Sequence, residues 1–449
     1  MTNRIDCRAG IVATRLSGTD GVSLETAKWT TALNRLGVSS FFFAGLLDRP
    51  PEVSRLVPEA HFLHPDIDEI NRVVFNGHTL PGGEQDGLST ADPSITRRDF
   101  FSPYIRPAQL SRRIFELRAH LRDELYAFVR SFDLDLLVVE NALAIPLNIP
   151  LGLAITDFVA ETGIPVIAHH HDLAWERQRF AVNSVPDFIA GAFPPPLPSI
   201  RHVVLNSVQA QQLAWRHGLP SRVIPNVMDF DREPGPLDDY ARRARRDLGV
   251  EDGQAFVLQP TRIIQRKGIE HAIELVRRLG IPAKLVVSHA GGEEDDDYQQ
   301  RLREFAHLLD VPVRFESDLV ATERGTTVDG RSIYTLADVY PQADLVTYPS
   351  SIEGFGNAFL EAIYFRRPLV VNRYSVYEID IQPKGFRVVE FDNYISEATV
   401  RDARDLIEDP ARAREWADIN YDLACRHYSF AVLERRLGAL VSECLGEER

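Results

Sequence analysis

The sequence has few cysteines and lacks any long apolar run. Three cysteines, Cys7, Cys425 and Cys444, are scattered along 449 residues without the spacing of metal ligands. No segment approaches the roughly 18 uncharged apolar residues that a membrane span needs. Asp6 and Arg8 fall where a signal peptide would have its apolar run. We therefore expect a cytoplasmic protein with no integral membrane segment.

Positive charge is also in short supply. Lys and Arg number 50 against 65 Asp and Glu, so the formal net charge is −15 at pH 7. General binding of nucleic acid relies on a basic surface, and this balance argues against it. An anionic ligand could bind only through a local cluster of positive groups.

Three familiar motifs are missing as well. The chain has no GxxxxGK[ST] loop for ATP hydrolysis and no GxGxxG in the first strand–helix turn for a nicotinamide cofactor. It also has no GxSxG elbow, so a hydrolase of that type is not supported.

Short β-rich segments alternate with amphipathic stretches along most of the chain. These segments are rich in Val, Ile and Phe and are bounded by turn residues, which is typical of buried strands. Such alternation predicts parallel βαβ units with right-handed crossovers. In the first half the predicted strands are residues 10–14, 39–45, 135–140, 165–171 and 202–207.

The length and one interruption in this pattern indicate two domains. Residues 225–239 are rich in Pro, Gly and Asp and resemble an interdomain linker. We predict an α/β fold of two Rossmann-like, doubly wound parallel-sheet domains that face a cleft, residues 1–225 and 226–425. Residues 426–449 are predicted to form a helix that packs back on the N-terminal domain. Residues 59–108 show little pattern and are interpreted as an insertion.

The most informative segment is a glycine-containing loop at residues 349–363. Gly354 and Gly356 allow the backbone to approach a ligand closely. The amides of residues 356–358 are expected at a helix N-terminus, where free N–H groups and the helix dipole favour an anion such as diphosphate.

Two glutamates flank this helix start. Glu353 precedes the helix and Glu361 lies about one turn inside it, so both carboxylates could reach one bound molecule. Carboxylates suit the hydroxyls of a sugar and a ribose because each accepts two hydrogen bonds. The structural alternative is a glycine turn with two solvated glutamates.

Two cations are predicted at the same edge of the sheet. Arg262 is expected at the end of a strand, and Lys267 just before a helix. Each alone could be an ordinary surface cation. Together, beside a helix N-terminus, they could neutralise a departing nucleoside diphosphate, as a metal ion does in other transferases.

Three consecutive histidines also invite a metal interpretation. Side chains alternate faces along a strand, so His169, His170 and His171 cannot all converge on one ion, and no cluster of zinc spacing accompanies them. We expect no metal site. His171, at the strand end, is the best candidate to face the cleft, although the sequence does not decide among the three. Asp172 could orient His171 or cap the following turn.

The combined pattern resembles a known family. It resembles the retaining glycosyltransferases of family 4, which have the GT-B fold, including the seven-residue gap between the two glutamates. Segments 16–26, 169–176 and 224–229 are similar to further parts of that family, although Val227 stands where its members usually have glycine. The residues that carry the resemblance are Arg262, Lys267, Glu353, Gly354, Phe355, Gly356 and Glu361.

The resemblance implies a role for each of the principal side chains. Arg262 and Lys267 would bind the donor diphosphate. Glu361 would bind the ribose and Glu353 the transferred sugar. His171 would contact the donor sugar near its 6-position or help to orient the acceptor. His171, Arg262, Lys267 and Glu353 would therefore be the catalytic set.

The resemblance also implies which residues surround the donor. Gly18 and Gly21 would line the floor of the cleft, and the backbone of residues 317–320 would hold the base. The N-terminal domain would bind the acceptor and the C-terminal domain the nucleotide sugar. The implied donor-binding residues are Gly18, Gly21, Arg262, Lys267, Gly354, Phe355, Gly356, Asn357 and Glu361.

The resulting hypothesis is a retaining, metal-independent hexosyltransferase. It would move a hexose from a donor of the GDP-mannose or UDP-glucose type to a hydroxyl of a small polar acceptor such as a sugar or sugar acid. Within the family it is similar to solute synthases of the mannosylglucosylglycerate synthase type. No tightly bound cofactor is expected, and the oligomeric state stays open. A nucleotide-sugar epimerase, a glycan phosphorylase and a non-catalytic sugar-nucleotide sensor are the alternatives.

Overall fold

The computed structural model describes residues 5–18, 21–75, 104–289, 296–315 and 318–446. The chain forms two compact units. The first comprises Met1–Leu205, Gln209–Ile224 and Leu433–Arg449, and the second comprises Asn206–Val208 and Pro225–Val432.

Among the described residues, the first unit forms a seven-stranded parallel sheet. Its strand order is β3-β2-β1-β4-β5-β6-β7, so the order reverses between β1 and β4. In a doubly wound sheet this reversal is the switch point, where ligands bind beyond the carboxyl ends of the strands. The strands are β1 (Cys7–Val12), β2 (Val38–Ala44), β3 (Ser54–Leu56), β4 (Leu136–Glu140), β5 (Val166–His170), β6 (Ile200–Val204) and β7 (Ser221–Val223).

Helices connect these strands. The connecting segments form helices because their apolar residues recur at helical spacing. The longest of them buries Leu110, Ile114, Leu117, Leu121, Leu125 and Phe128, one residue in every three or four. The connecting helices are α1 (Gly21–Leu36), α2 (Pro65–Phe75), α3 (Ala108–Phe132), α4 (Ile149–Thr162), α5 (Pro186–Ala192) and α6 (Ser207–His217).

The sequence missed three elements of this unit. Strands β3 and β7 have three residues each, too short for an alternating pattern to emerge. Helix α2 lies inside the region interpreted as an irregular insertion, yet it buries Ile67, Ile70 and Val74 on one face. The rest of that region, residues 76–103, lies outside the described residues.

In the part of the second unit that the structure describes, six parallel strands form the main sheet. The order is β10-β9-β8-β13-β14-β15, with its reversal between β8 and β13, and β11 and β12 form a separate antiparallel pair. The strands are β8 (Ala255–Gln259), β9 (Ala283–Val287), β10 (Val313–Phe315), β11 (Gly325–Thr326), β12 (Ser332–Ile333), β13 (Leu345–Tyr348), β14 (Leu369–Asn372) and β15 (Val389–Phe391).

The helices of the second unit also bury an apolar face. The helix after β8 buries Ile269, Ala272, Ile273 and Val276, which packs one face on the sheet. The helices are α7 (Asp239–Arg242), α8 (Ala244–Asp247), α9 (Ile269–Arg278), α10 (Asp296–Leu308), α11 (Leu336–Val339), α12 (Asn357–Tyr364), α13 (Glu397–Glu408) and α14 (Pro410–Tyr428). Within the described ranges, no helix combines the length and apolar character needed to cross a membrane.

The final helical stretch is divided in two. The last helix, α15 (Phe430–Cys444), begins four residues later than the predicted boundary at residue 426. Ser429 separates it from α14, because its extended backbone pairs with Met228 in a β-bridge. Two doubly wound parallel sheets confirm the predicted α/β fold class.

Candidate functional site

The switch point of the second unit brings two predicted loops together. Strands β8 and β13 are neighbours, with Val257 opposite Leu345 and Leu258 opposite Val346. Parallel neighbours end at the same edge of a sheet, so the loop after β8 and the loop after β13 emerge side by side. The first carries Arg262 and Lys267, and the second carries Glu353.

Arg262 does not end the strand, as the sequence suggested. Strand β8 stops at Gln259, because the next residue is Pro260 and proline has no N–H to donate to the ladder. Arg262 lies exposed in the following loop. In the described part of the chain its guanidinium has no hydrogen-bond or ion-pair partner.

Lys267 and Glu353 are directly paired in this structure. The Lys267 ammonium donates to Oε1 of Glu353, and Nη1 of Arg266 donates to Oε2 at 3.0 Å. The Glu353 side chain is only 9% exposed. Arg266 was not predicted as part of the site. Its position beside Lys267 in a loop of consecutive cations was the available signal.

The electrostatics of this pair follow from its burial. Burial alone would raise the pKa of Glu353, but the charges of Lys267 and Arg266 outweigh it and hold that pKa below its usual value. Burial lowers the pKa of Lys267, against the opposing pull of Glu353. The cluster is therefore an anion held among cations.

Helix α12 begins where the sequence predicted. Its first residue is Asn357, with Gly356 as the N-cap, so the leading amides of the helix lack intrahelical partners. Gly356 has a φ of +128°, and a Cβ at this position would lie 2.6 Å from Oη of Tyr374 and 3.2 Å from Oη of Tyr348. Only glycine fits this turn without displacing the tyrosines behind it.

Glu361 lies one turn inside α12, as predicted. Its Oε2 accepts a hydrogen bond from Oη of Tyr340 at 2.8 Å. Burial and the charge of Glu361 raise the pKa of Tyr340 well above its ordinary value, so this hydroxyl stays a donor. This hydrogen bond holds the carboxylate in place.

A histidine beyond β9 also belongs to this region. His289 follows the strand next to β8, and Oγ of Ser288 contacts its Nδ1 at 2.9 Å. Burial first, and then the charges of Arg262 and Lys267, lower the pKa of His289. His289 was not among the residues predicted from the sequence. Its position at the end of a strand adjacent to β8 was the only available signal.

The switch point of the first unit holds a different cluster. His169 and His171 are two residues apart and reach the same carboxylate, that of Glu140 at the end of β4. Oε2 of Glu140 accepts from Nδ1 of His169 at 2.9 Å and from Nε2 of His171 at 3.0 Å. His170 points elsewhere, and its Nε2 lies 3.0 Å from Nδ1 of His202 on β6.

Exposure distinguishes the three histidines. The His171 side chain is 9% exposed, whereas His169 and His170 are fully buried. His171 is therefore the one that reaches the surface at this strand end. Burial alone would lower the pKa of His171, but the hydrogen bond that it donates to Glu140 and the charge of Glu140 raise that pKa above the usual value. Burial lowers the pKa of His169.

No metal site was expected from the sequence, because three consecutive histidines cannot converge and no cluster of zinc spacing accompanies them. The structure adds Glu140, and one ligand atom from each of Glu140, His169 and His171 lies within 4.8 Å of the others. These three groups could hold a metal ion. Independence from metal stays a prediction.

Asp172 performs neither of its two suggested roles by direct hydrogen bond. Its carboxylate is ion-paired with Arg177 at 2.7 Å. The following turn is capped by Glu176, which accepts from the Leu173 amide at 2.7 Å.

The remaining predicted positions are partly described. Gly18 has a φ of +82° in the loop after β1, and Gly21 begins α1. Ser317, at the start of the segment expected to hold the base, lies outside the described residues. Val320 pairs with Tyr334 in a β-bridge.

Comparison with known proteins decides the family. Mannosylglucosylglycerate synthase of Petrotoga mobilis is 30% identical over 402 residues, which cover 85% of this chain and 85% of that protein. The enzyme of the same name from Thermotoga maritima is 30% identical over 446 residues, covering 92% of this chain and 95% of that protein. The chain belongs to the glycosyltransferase family of the mannosylglucosylglycerate synthases. No protein-family model matches it.

Solved structures confirm the fold. A glycosyltransferase from Rickettsia africae superposes with a TM-score of 0.67 at 11% identity, covering 99% of this chain and 100% of that chain. Sucrose-phosphate synthase from Thermosynechococcus elongatus gives 0.61 at 13% identity, with 98% and 100% covered. The Anabaena protein HepE in complex with UDP gives 0.59 at 13% identity, with 97% and 100% covered. The fold is GT-B, and the protein is a glycosyltransferase.

Proposed function

We propose that the protein transfers a mannosyl residue from GDP-mannose to a hydroxyl of glucosylglycerate, with retention of the anomeric configuration. The observation that carries the chemistry is the cluster of Arg262, Arg266 and Lys267 beside the N-terminus of α12. The product in the name of two relatives that align over at least 85% of this chain supports a mannosyl group and a glucosylglycerate acceptor.

The cluster suits a diphosphate. Lys267 and Arg266 are paired with one carboxylate, Glu353, while Arg262 and the leading amides of α12 add further positive charge, so positive charge is in excess there. Arg262 is exposed and is available to a ligand at once. Lys267 is held by Glu353, and a diphosphate would compete with that carboxylate for its ammonium. Charge-assisted hydrogen bonds to phosphate are strong enough for such an exchange.

Glu353 and Glu361 would each bind one of the two sugars of the donor. Release from Lys267 would leave Glu353 an acceptor for hydroxyls of the transferred mannose. Glu361, which Tyr340 holds in place, would accept hydrogen bonds from the hydroxyls of the ribose. Gly354, Phe355, Gly356 and Asn357 would supply backbone contacts, and Gly18 and Gly21 would supply close backbone approach in the first unit. His171 would contact a hydroxyl of the transferred sugar or of the acceptor.

The proposed reaction needs no enzyme nucleophile. The bond between the anomeric carbon and the diphosphate oxygen breaks first, and the cation cluster stabilises the charge that develops on the leaving group. The acceptor hydroxyl then bonds to the anomeric carbon from the same face. Its proton passes to the departing phosphate oxygen, so the products are the glycoside and GDP.

The test is a transfer assay with product analysis. GDP-mannose and glucosylglycerate should give mannosylglucosylglycerate with the α configuration of the donor, measured by proton NMR of the anomeric signal. UDP-glucose in place of GDP-mannose is the donor control. Inversion at the anomeric carbon would contradict the mechanism. Formation of mannose 1-phosphate from the product and free phosphate would identify a phosphorylase.

Removal of metal tests a second part of the proposal. We expect transfer to continue after dialysis against EDTA, because three cations and helix amides can stabilise the leaving group. Loss of activity on dialysis, with recovery on addition of Mg²⁺ or Mn²⁺, would show that a metal is required.

A further inference from the structure

We propose that Glu140 is a positioning residue that holds His171 through its Nε2, so that Nδ1 is the ring atom presented to substrate. This inference rests on the proposed function, in which His171 contacts a substrate hydroxyl. It concerns a buried glutamate that the sequence analysis did not select.

The geometry fixes the ring of His171 from one side. A single oxygen of Glu140 accepts from both His169 and His171, at 2.9 and 3.0 Å, and so uses both of its lone pairs. The carboxylate is fully buried, which excludes competition from water. Within the described part of the chain, Nδ1 of His171 has no partner.

His169 serves as the second support of the carboxylate. Its ring stacks on Trp29, with centroids 3.9 Å apart and planes inclined by 19°. Among the described residues its Nε2 has no hydrogen-bond partner, and its Nδ1 carries the proton that it donates to Glu140. His169 is therefore locked between an aromatic face and Glu140, and it holds Oε2 in place.

The backbone also fixes this corner of the sheet. Glu140 ends β4, directly opposite His169 of β5 in the parallel register. Oδ1 of Asn141 accepts from the amide of His171 at 3.0 Å. Both the main chain and the ring of His171 are thus tied to the end of β4. A side chain held in this way loses little conformational entropy when it binds a substrate.

A double-mutant cycle tests whether Glu140 acts through His171. Glu140→Gln keeps the shape of the side chain but removes its charge, and we expect kcat to fall about 10- to 100-fold, as for other residues that orient a catalytic group. KM for GDP-mannose should stay near the wild-type value, because the donor diphosphate is bound elsewhere. In a His171→Ala background the same substitution should cause no further loss. Additive losses would overturn the proposal.

The control is a second hydrogen-bonded glutamate of the same unit, Glu176. Glu176 accepts from the Leu173 amide and from Nε2 of Gln209, and Glu176→Gln should leave kcat unchanged. An equal fall in kcat in both variants would show that the effect is structural, and this would overturn the proposal.

A spectroscopic measurement covers the case in which Glu140→Gln fails to fold. In the wild-type protein labelled with ¹⁵N-histidine, NMR at alkaline pH, where the His171 ring is neutral despite its raised pKa, should show the proton of His171 on Nε2 and that of His169 on Nδ1, with the His171 signals assigned from His171→Ala. The opposite tautomer at His171 would overturn the proposal, as would one equivalent of bound metal that is lost in Glu140→Gln. These measurements need no turnover, so failure of the proposed reaction remains distinguishable from failure of the positioning role. Wild-type kcat in His171→Ala would show both roles of His171 to be wrong.

Discussion

Each unit places a glutamate at the switch point of its sheet, but the two glutamates have different partners. In the second unit, Glu353 is paired with a lysine and an arginine. In the first, Glu140 is paired with two histidines. The glutamate at the switch point therefore has histidine partners in the first unit and permanently charged cations in the second.

The difference indicates what each switch point can bind. Cations outnumber the carboxylate in the second unit, and Arg262 stands exposed beside them. That excess suits a ligand with two or more negative charges. In the first unit, the buried Glu140 has its pKa held at about 2, since the hydrogen bonds and charges of His169 and His171 outweigh its burial. A carboxylate neutralised in this way leaves the His171 ring, which is 9% exposed, for uncharged hydroxyl groups.

The largest expected effect is that of removing Lys267. In Lys267→Ala, kcat should fall about 10²- to 10³-fold, the usual result of deleting one group that stabilises a leaving anion. Stability should also fall, since the buried Glu353 loses its principal partner while retaining Arg266. Steady-state kinetics and urea unfolding measure the two effects.

The control for this experiment is Arg277→Ala. Arg277 is an exposed cation on α9 of the same unit, and its removal should change neither kcat nor stability appreciably. Activity close to wild type in Lys267→Ala would show that the cation cluster does not stabilise the leaving group. The proposed difference in ligand binding between the two switch points would then be wrong.

The second prediction concerns the stability of the protein at acidic pH. The first unit also buries His170 against His202, and burial lowers the pKa of both, that of His202 to about 4. Between pH 6.5, the ordinary value, and pH 4, the unfolded chain binds more protons than the folded one. Stability therefore rises with pH in this window and is lost on acidification, by about 3 kcal/mol for His202 alone.

Urea unfolding at several pH values checks this sign. His202→Gln should flatten the dependence between pH 6.5 and pH 4, because one of the two buried imidazoles no longer has to be protonated. Glu353 affects stability at a lower pH. Its folded pKa lies below the usual value, so its stabilising contribution is lost only as pH falls through that depressed pKa. An unchanged slope in His202→Gln would show that the histidine pair is not responsible.

The sequence was sufficient for the fold class and for the loop at 353–361, because both depend on local signals. Strand–helix alternation and a glycine before a helix are visible in a single chain. Arg266 was missed although it lies beside Lys267 in the sequence, whereas His289 was missed because its relevance depends on which strands become neighbours. Glu140 was missed for the same reason. It lies 29 residues before His169 in the chain, and only the pairing of β4 with β5 brings the two together.

The smallest expected effect is that of a methyl group at Gly356. Gly356→Ala would force φ near +128° on an alanine and place its Cβ against the hydroxyl of Tyr374. We expect a loss of about 1–3 kcal/mol of stability from strain of this kind, together with weaker GDP binding because the first turn of α12 shifts. Gly385→Ala is the matched variant, since φ there is +87° and a Cβ would meet no atom within 4 Å. A larger loss in Gly356→Ala than in Gly385→Ala isolates the contact with the tyrosines from the cost of the backbone conformation. If both variants lost equal stability and both retained GDP affinity, the close packing behind the glycine turn would have no part in shaping the diphosphate site.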